Sequence, residues 1–167
     1  MRNKRGQMKL SFGMIFSIIL IVIFIVFAFY GIYKFLGYQK TIQVRQFVDS
    51  FQAKITQIWQ GSQGSVPFTK TLPSKIEYVC FTDFSSGSGS GQFEEFYSDF
   101  ELISEGYENN MFIYPASAGG SSAAVMLEHI DVGKITETQN PYCIKTIKGK
   151  VGFTIKIGLG DTLVTIE

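Results

Sequence analysis

Residues 10–33 read LSFGMIFSIILIVIFIVFAFYGIY, and this run of 24 positions without a charged side chain decides the fold. A helix needs about 20 apolar residues to cross a hydrocarbon core about 30 Å thick, because each residue rises about 1.5 Å. The alternative is a buried helix of a soluble domain, but such a helix is rarely so long and apolar on every side. The run therefore predicts a membrane-spanning helix within residues 7–36.

Basic residues flank this run unevenly. Four of them lie within the first nine positions, with no acid among them, whereas Lys34 and Lys40 are the nearest that follow. Because basic residues stay on the cytoplasmic side, the N-terminus is predicted inside the cell and the C-terminal part outside. Residues 37–167 carry 10 basic and 14 acidic residues, a net charge of −4, so no general attraction to nucleic acid is expected.

The apolar run differs from an ordinary secretory signal. Such a signal has an apolar core of about 7–15 residues and a cleavage site of small residues in an A-x-A pattern. Here the core is longer and no A-x-A pattern follows it. The segment is therefore predicted to stay attached to the chain.

A second helical pattern continues directly from the first, over residues 37–60. Apolar side chains recur there at spacings of three and four, which is one face of an amphipathic helix: Val44, Phe47, Val48, Phe51, Ile55, Ile58 and Trp59. No proline occurs before position 67, and the GSQG of residues 61–64 is a stop signal. One long helix is predicted, from about residue 10 to about residue 60.

Residues 61–167 are predicted to form a β-rich head, because stretches dense in β-branched and aromatic residues alternate with turn signals. Strands are predicted at residues 75–84, 110–114, 142–147, 151–157 and 162–166, with a weaker strand pattern at 123–132. The SSGSGSG of 85–91 and the ASAGGSS of 116–122 predict loops. The amphipathic stripe and one face of a small antiparallel sheet would cover each other. We therefore predict an α+β fold with the long helix packed on the sheet.

The chain has two cysteines, Cys80 and Cys143, and both lie in the predicted outer part. An even number of cysteines in an oxidising compartment favours a disulfide. Such a bond would close a loop of about 60 residues and contribute about 4 kcal/mol in the chain-entropy model. Two buried free thiols are the alternative.

Residues with catalytic or metal-binding chemistry are few. His129 is the only histidine, and zinc sites and His-based triads need partners for it that the chain does not supply. Residues 94–108 are acidic but lack the spacing of a calcium loop, and aromatic residues interleave with the acids. A solvated face over an aromatic core is favoured over the carboxylate pair of a glycosidase. We predict a protein that is not an enzyme and has no catalytic residue, metal site or cofactor.

Lys4-Arg5-Gly6-Gln7 stands shortly before the apolar run. A short basic stretch, a helix that is first apolar all round and then amphipathic, and a β-rich head together resemble archaeal pilin-like proteins of the type IV filament superfamily. Those proteins carry a class III signal peptide, which a prepilin peptidase removes, commonly after a Gly that Gln follows. The resemblance implies a leader at residues 1–6 and a cut between Gly6 and Gln7.

The resemblance also implies a structural or accessory subunit of a cell-surface filament. Its partners would be membrane lipid, the prepilin peptidase and other pilin subunits that contact its apolar helix. Many pilins place a Glu at the fifth mature position to meet the N-terminal amine of a neighbouring subunit, and Ser11 occupies that position here. The alternative is an uncleaved, signal-anchored envelope protein whose extracellular head binds a partner. Both place the chain in the cell membrane, with a cytoplasmic N-terminus.

Overall fold

The structure is a computed structural model, and it describes residues 12–61, 63–87, 89–104 and 108–167. The chain divides into two compact units, Met1–Gln39 and Lys40–Glu167. The helices are α1 (Phe12–Gln60), α2 (Glu94–Ser104), α3 (Ala116–Gly119) and α4 (Val132–Ile135), with 3-10 turns at Phe84–Ser86 and Gly120–Ser122. The strands are β1 (Gly64–Thr71), β2 (Tyr78–Phe81), β3 (Met111–Tyr114), β4 (Ala124–Val125), β5 (Tyr142–Lys145), β6 (Lys150–Ile157) and β7 (Thr165–Ile166). This is the α+β class that the sequence predicted.

Helix α1 covers the described part of the predicted span and ends at the predicted stop signal. Its last residue is Gln60, and the Gly61 N–H donates to the Ile58 carbonyl at 3.0 Å. Such an i to i+3 bond tightens a final helical turn and satisfies a carbonyl that has no partner within the helix. Because no proline interrupts α1, the apolar and amphipathic patterns form one continuous helix.

The strands form two antiparallel sheets, where a single small sheet was predicted. The first sheet has the order β1-β6-β7, and the second has the order β4-β3-β2-β5. β5 and β6 follow each other through a tight turn that one bridge closes, between Ile147 and Lys150. Beyond that bridge β5 pairs with β2 and β6 pairs with β1, so consecutive strands enter different sheets.

Two elements were not expected from the sequence. β1 contains Pro67, which cannot donate to a strand ladder, but β1 stands at the end of the sheet order, with β6 as its neighbour. α2 lies in the stretch that was interpreted only as an acidic face. The recurrence of Phe93, Phe96 and Phe100 at spacings of three and four is the helical signal that could have identified it.

The predicted strand at 123–132 is much shorter in the structure. Ala124–Val125 pairs with β3, and Ile130 forms one isolated bridge with Val164. His129 has a φ of 62°, in the left-handed region, so the extended chain cannot continue through it. Asp131 then accepts a hydrogen bond from the Lys134 N–H at 2.9 Å and caps α4.

The main core lies between the Lys40–Gln60 part of α1 and one face of both sheets. The predicted stripe is confirmed, because its buried members are Val44, Phe47, Phe51, Ile55 and Ile58. Val48 packs at the edge of the core, and Trp59 is 37% exposed. The sheets contribute buried side chains from several strands: Phe68, Val79, Phe81, Met111, Ile113, Val151, Phe153 and Ile155.

A second core covers the other face of the second sheet. Phe96 and Phe100 of α2 pack there against Phe112 of β3 and Cys80 of β2. The Phe100 and Phe112 rings stack with centroids 4.6 Å apart, and the Phe96 and Tyr114 rings stack at 4.0 Å. The second sheet is therefore covered on both faces, by α1 on one and by α2 on the other.

Candidate membrane helix and head surfaces

The stretch of α1 from Phe12 to Gln39 presents apolar side chains on every side. All of its residues are exposed within the chain, and Phe24, Phe27 and Phe29 each keep about two thirds of their surface free. Soluble proteins rarely leave a continuous apolar surface of this extent in water, because its hydration is unfavourable. This surface is therefore suited to an apolar environment.

Among the described residues, α1 is the one helix that is long and apolar enough to cross a membrane. It is consistent with the predicted membrane anchor. The hydroxyl of Ser17 donates to the Gly13 carbonyl at 2.8 Å, four residues earlier. Polar groups in a hydrocarbon layer must be satisfied internally, and this bond satisfies the hydroxyl within the helix itself.

Tyrosines gather at the C-terminal end of the apolar stretch. Tyr30, Tyr33 and Tyr38 are all exposed, and the Lys34 ammonium lies 5.8 Å from the Tyr30 ring centroid. Tyrosine is enriched at membrane–water interfaces because its ring is apolar and its hydroxyl is polar. Lysine near a membrane-helix end can extend its ammonium toward the aqueous side. This end of the stretch has the composition of an interface.

The predicted cleavage site, Gly6 and Gln7, lies outside the described residues, as does Ser11. The described part of α1 begins one residue later, at Phe12. The cut between Gly6 and Gln7 stays a prediction.

The predicted disulfide between Cys80 and Cys143 is confirmed. The two residues are direct cross-strand partners on β2 and β5, with Cα atoms 4.0 Å apart. Their side chains lie on the sheet face that α2 covers, and Cys80 is completely buried there. The bond spans a sequence separation of 63, so it closes a loop that contains α2, β3, α3, β4 and α4.

Helix α2 has an acidic outer face and an aromatic inner face. Its exposed acids are Glu94, Glu95, Asp99 and Glu101, and its buried residues are Phe96, Tyr97, Phe100 and Ser104. The predicted solvated face over an aromatic core is confirmed for these residues. Of the other two acids in the stretch, Glu108 is exposed beyond the helix and Glu105 lies outside the described residues.

Burial raises the pKa of Tyr97 above its ordinary value of 10.0, and the Glu101 and Asp83 carboxylates raise it further. Its ring packs edge-on against Phe84 at 5.3 Å. Both effects disfavour a phenolate, because charge is poorly solvated in the core and repelled by the nearby acids. The folded head therefore holds this proton more tightly than the unfolded chain does.

We expect Tyr97 to make the head less stable in alkali. The contribution of the Tyr97 proton to the free energy of unfolding is fully present below pH 10. It falls once the unfolded chain releases the proton, and it is lost as the pH passes through the raised pKa of the folded head. Urea unfolding at about pH 8 and pH 11 should show a smaller loss of stability in Tyr97→Phe than in the parent protein. Tyr38→Phe, at an exposed position, is the matched control. If Tyr97→Phe and the parent protein lost the same amount of stability between about pH 8 and pH 11, Tyr97 would not be the source of the alkaline sensitivity.

His129, the chain's one histidine, stacks on Trp59. The ring centroids are 3.7 Å apart and the planes lie within 7° of parallel. The indole N–H of Trp59 donates to the Thr162 carbonyl at 3.0 Å. The end of α1 is thereby joined to two loops of the head, which is a structural role for both rings. Sequence reasoning missed this pair because 70 positions separate its members.

Within the part of the chain that the structure describes, no three His, Cys, Asp or Glu side chains gather as a metal site would require. The features with functional potential are therefore the apolar stretch of α1 and the charged surfaces of the head. Similarity to proteins of known role adds nothing to this chemistry, since no protein-family model, no curated protein and no solved structure matches the chain.

Proposed function

We propose that this protein is a pilin-like, single-pass membrane protein and a structural or accessory subunit of a cell-surface filament of the type IV kind. The observation that carries the proposal is the two-part character of α1. Its residues from Phe12 to Gln39 are exposed and apolar, and its residues from Lys40 to Gln60 are built into the core of an α+β head. One helix thus supplies both an insertion segment and the central element of a folded domain.

The exposed stretch has two ways to bury its apolar surface. In the membrane, lipid chains cover it. In a filament, the same stretches from neighbouring subunits would cover one another, as helices do in a bundle. A protein that passes from the first state to the second exchanges one apolar environment for another. Filament assembly from a membrane-held pool therefore needs no exposure of this surface to water.

Removal of the leader fits this exchange. Residues 1–6 include Arg2, Lys4 and Arg5, which favour the cytoplasmic side and resist transfer into an apolar environment. A cut between Gly6 and Gln7 would remove these three charges and leave Lys9 as the basic residue ahead of the apolar run. The mature N-terminus could then enter a helix bundle at lower cost.

Co-expression with an archaeal prepilin peptidase tests the cleavage. N-terminal sequencing of the product should begin at Gln7, with residues 1–6 absent. Gly6→Val is the matched variant, because it changes the residue at the cut and leaves every charge in place. We expect it to block processing while membrane insertion continues. A parent protein that keeps Arg2 to Gly6 in the presence of an active peptidase would refute the processing step.

The uncleaved, signal-anchored envelope protein remains a second candidate, and Ser11 is the observation that favours it. A subunit with Ser there lacks the carboxylate that pairs with a neighbour's N-terminal amine in many pilins. The two candidates differ in the assembled state. Gentle shearing of cells should release extended fibres that contain a filament subunit. An anchored binding protein should instead stay in the membrane and behave as a monomer or small oligomer in detergent.

A further inference from the structure

One end of the head carries five lysines, all of them exposed. We call this surface the lysine end, and its members are Lys70, Lys75, Lys145, Lys148 and Lys150. They come from the end of β1, from the segment before β2, and from the hairpin that joins β5 to β6. The sequence separates them by up to 80 positions, so the fold is what brings them together.

Backbone hydrogen bonds hold these three segments side by side. Thr71 pairs with Lys150 in the β1–β6 ladder, and the Leu72 N–H donates to the Gly149 carbonyl at 2.8 Å. The Thr146 N–H donates to the Glu77 carbonyl, also at 2.8 Å. The lysine end is therefore a fixed surface of the two sheets.

A tight turn projects the hairpin outward. Lys148 and Gly149 have φ values of 52° and 71°, the left-handed conformation that a two-residue hairpin turn requires. The turn leaves Ile147 70% exposed between Lys145 and Lys148. An apolar side chain thus stands at the tip of a basic surface.

The positive charge of this end is not neutralised within the head. None of the five lysines lies within ion-pair distance of an acid among the described residues. The segments that form the lysine end include one acid, Glu77. At the far end of β6 the arrangement differs, because Lys134 pairs with Asp161 and Lys156 pairs with Glu167. The lysine end therefore carries a local charge of about +4 in a head whose net charge is negative.

The lysine end lies where the chain enters the head. Lys70 and Thr71 line one shallow groove together with Gln43, Gln46 and Phe47 of α1. Nine residues lie between Gln43 and Tyr33, the last residue of the uncharged run, so ten steps of chain join the two. Such a link cannot exceed about 36 Å even when fully extended. A bilayer that held the run would therefore be within reach of the lysine end.

We infer that the lysine end binds anionic lipid headgroups and that Ile147 enters the interface between headgroups and acyl chains. Lysines within a Debye length of an anionic surface are attracted to it, and an exposed apolar residue adds a short-range contact. The contact would hold the head against the membrane that anchors it. The inference rests on the membrane anchoring of the proposed function, but it does not require cleavage or filament assembly.

The test places a tryptophan at either end of β6 in the full-length protein. Ile147→Trp reports on the lysine end, and Leu159→Trp, at another exposed turn beyond the far end of the strand, is the matched control. Each variant is reconstituted into vesicles of brominated phosphatidylcholine, with or without about 30% brominated phosphatidylglycerol. The Trp59 signal of the parent protein is subtracted, since Trp59 is the one native tryptophan.

We expect quenching at position 147 to be about threefold larger in the anionic vesicles, and quenching at position 159 to be small in both. Salt at about 0.5 M should abolish the difference, because the Debye length falls to about 4 Å. A triple variant, Lys145→Gln with Lys148→Asn and Lys150→Gln, should abolish it as well. Asparagine is chosen at 148 because it tolerates the left-handed conformation of the turn.

Equal quenching at positions 147 and 159, or quenching at 147 that ignores lipid charge and salt, would overturn the inference. Failure of the anchor has a different signature. A protein whose α1 does not insert would fail to float with zwitterionic vesicles, and the proposed membrane function would fall. In that case the protein could still float with anionic vesicles. Flotation that salt weakens and that the triple lysine variant loses would support the lysine end as a lipid-binding surface. Absence of flotation with anionic vesicles would refute it.

Discussion

Replacing Phe51 with alanine is expected to lower the free energy of unfolding of the head by about 3–5 kcal/mol. Phe51 is completely buried at the centre of the main core. Its ring lies 5.2 Å from that of Phe68 and 4.9 Å from that of Phe153, both in the first sheet. It also lies 6.1 Å from Phe81 in the second sheet. Truncation would open a cavity where α1 meets both sheets, and a rigid aromatic cluster can close such a cavity only partly.

Urea unfolding of the full-length protein in detergent micelles measures this effect. Trp59, the chain's one tryptophan, is joined to the head through His129 and Thr162, so its fluorescence reports on unfolding of the head. Leu159→Ala is the control, because Leu159 is 87% exposed and its truncation should change stability by less than about 0.5 kcal/mol. If Phe51→Ala lowered the free energy of unfolding by less than about 1 kcal/mol, the packing of α1 on the sheets would not be a main source of the head's stability.

Reduction of the Cys80–Cys143 disulfide is expected to cost the head about 4 kcal/mol. The bond closes a loop with a sequence separation of 63, which restricts the unfolded chain substantially. It also lies in the second core beneath α2, where it joins the edge strand β5 to β2, one of the strands on which α2 packs. We expect α2 to lose its packing on the sheet more readily than α1 does, because the main core does not contain the bond.

Paired urea titrations with and without a thiol reductant measure this loss, and alkylation followed by mass spectrometry verifies reduction. The double variant Cys80→Ala with Cys143→Ala should resemble the reduced parent and show no further response to reductant. If reduction of the parent, verified by mass, shifted stability by less than about 1 kcal/mol, the disulfide would not be a major support of the fold.

Much of this architecture could be read from local patterns. The uncharged run at 10–33 and the stripe from Val44 to Trp59 predict one helix with two kinds of surface, and that helix is present over the described residues from Phe12 to Gln60. The two cysteines favoured a Cys80–Cys143 bond over free thiols, and the structure has that bond. Such features are predictable because side-chain period, helix-stop residues and cysteine number act without reference to distant parts of the chain.

What the sequence by itself determined is the long helix, the face of it that is buried, and the pairing of the cysteines. What only the tertiary structure decided is the division of the strands into two sheets, the placing of α2 over the second sheet, and the meeting of Lys70, Lys75 and the β5–β6 hairpin at one end of the head. The reason is physical. A strand's own period does not specify its partner, because pairing depends on which distant segment can cover the same apolar face.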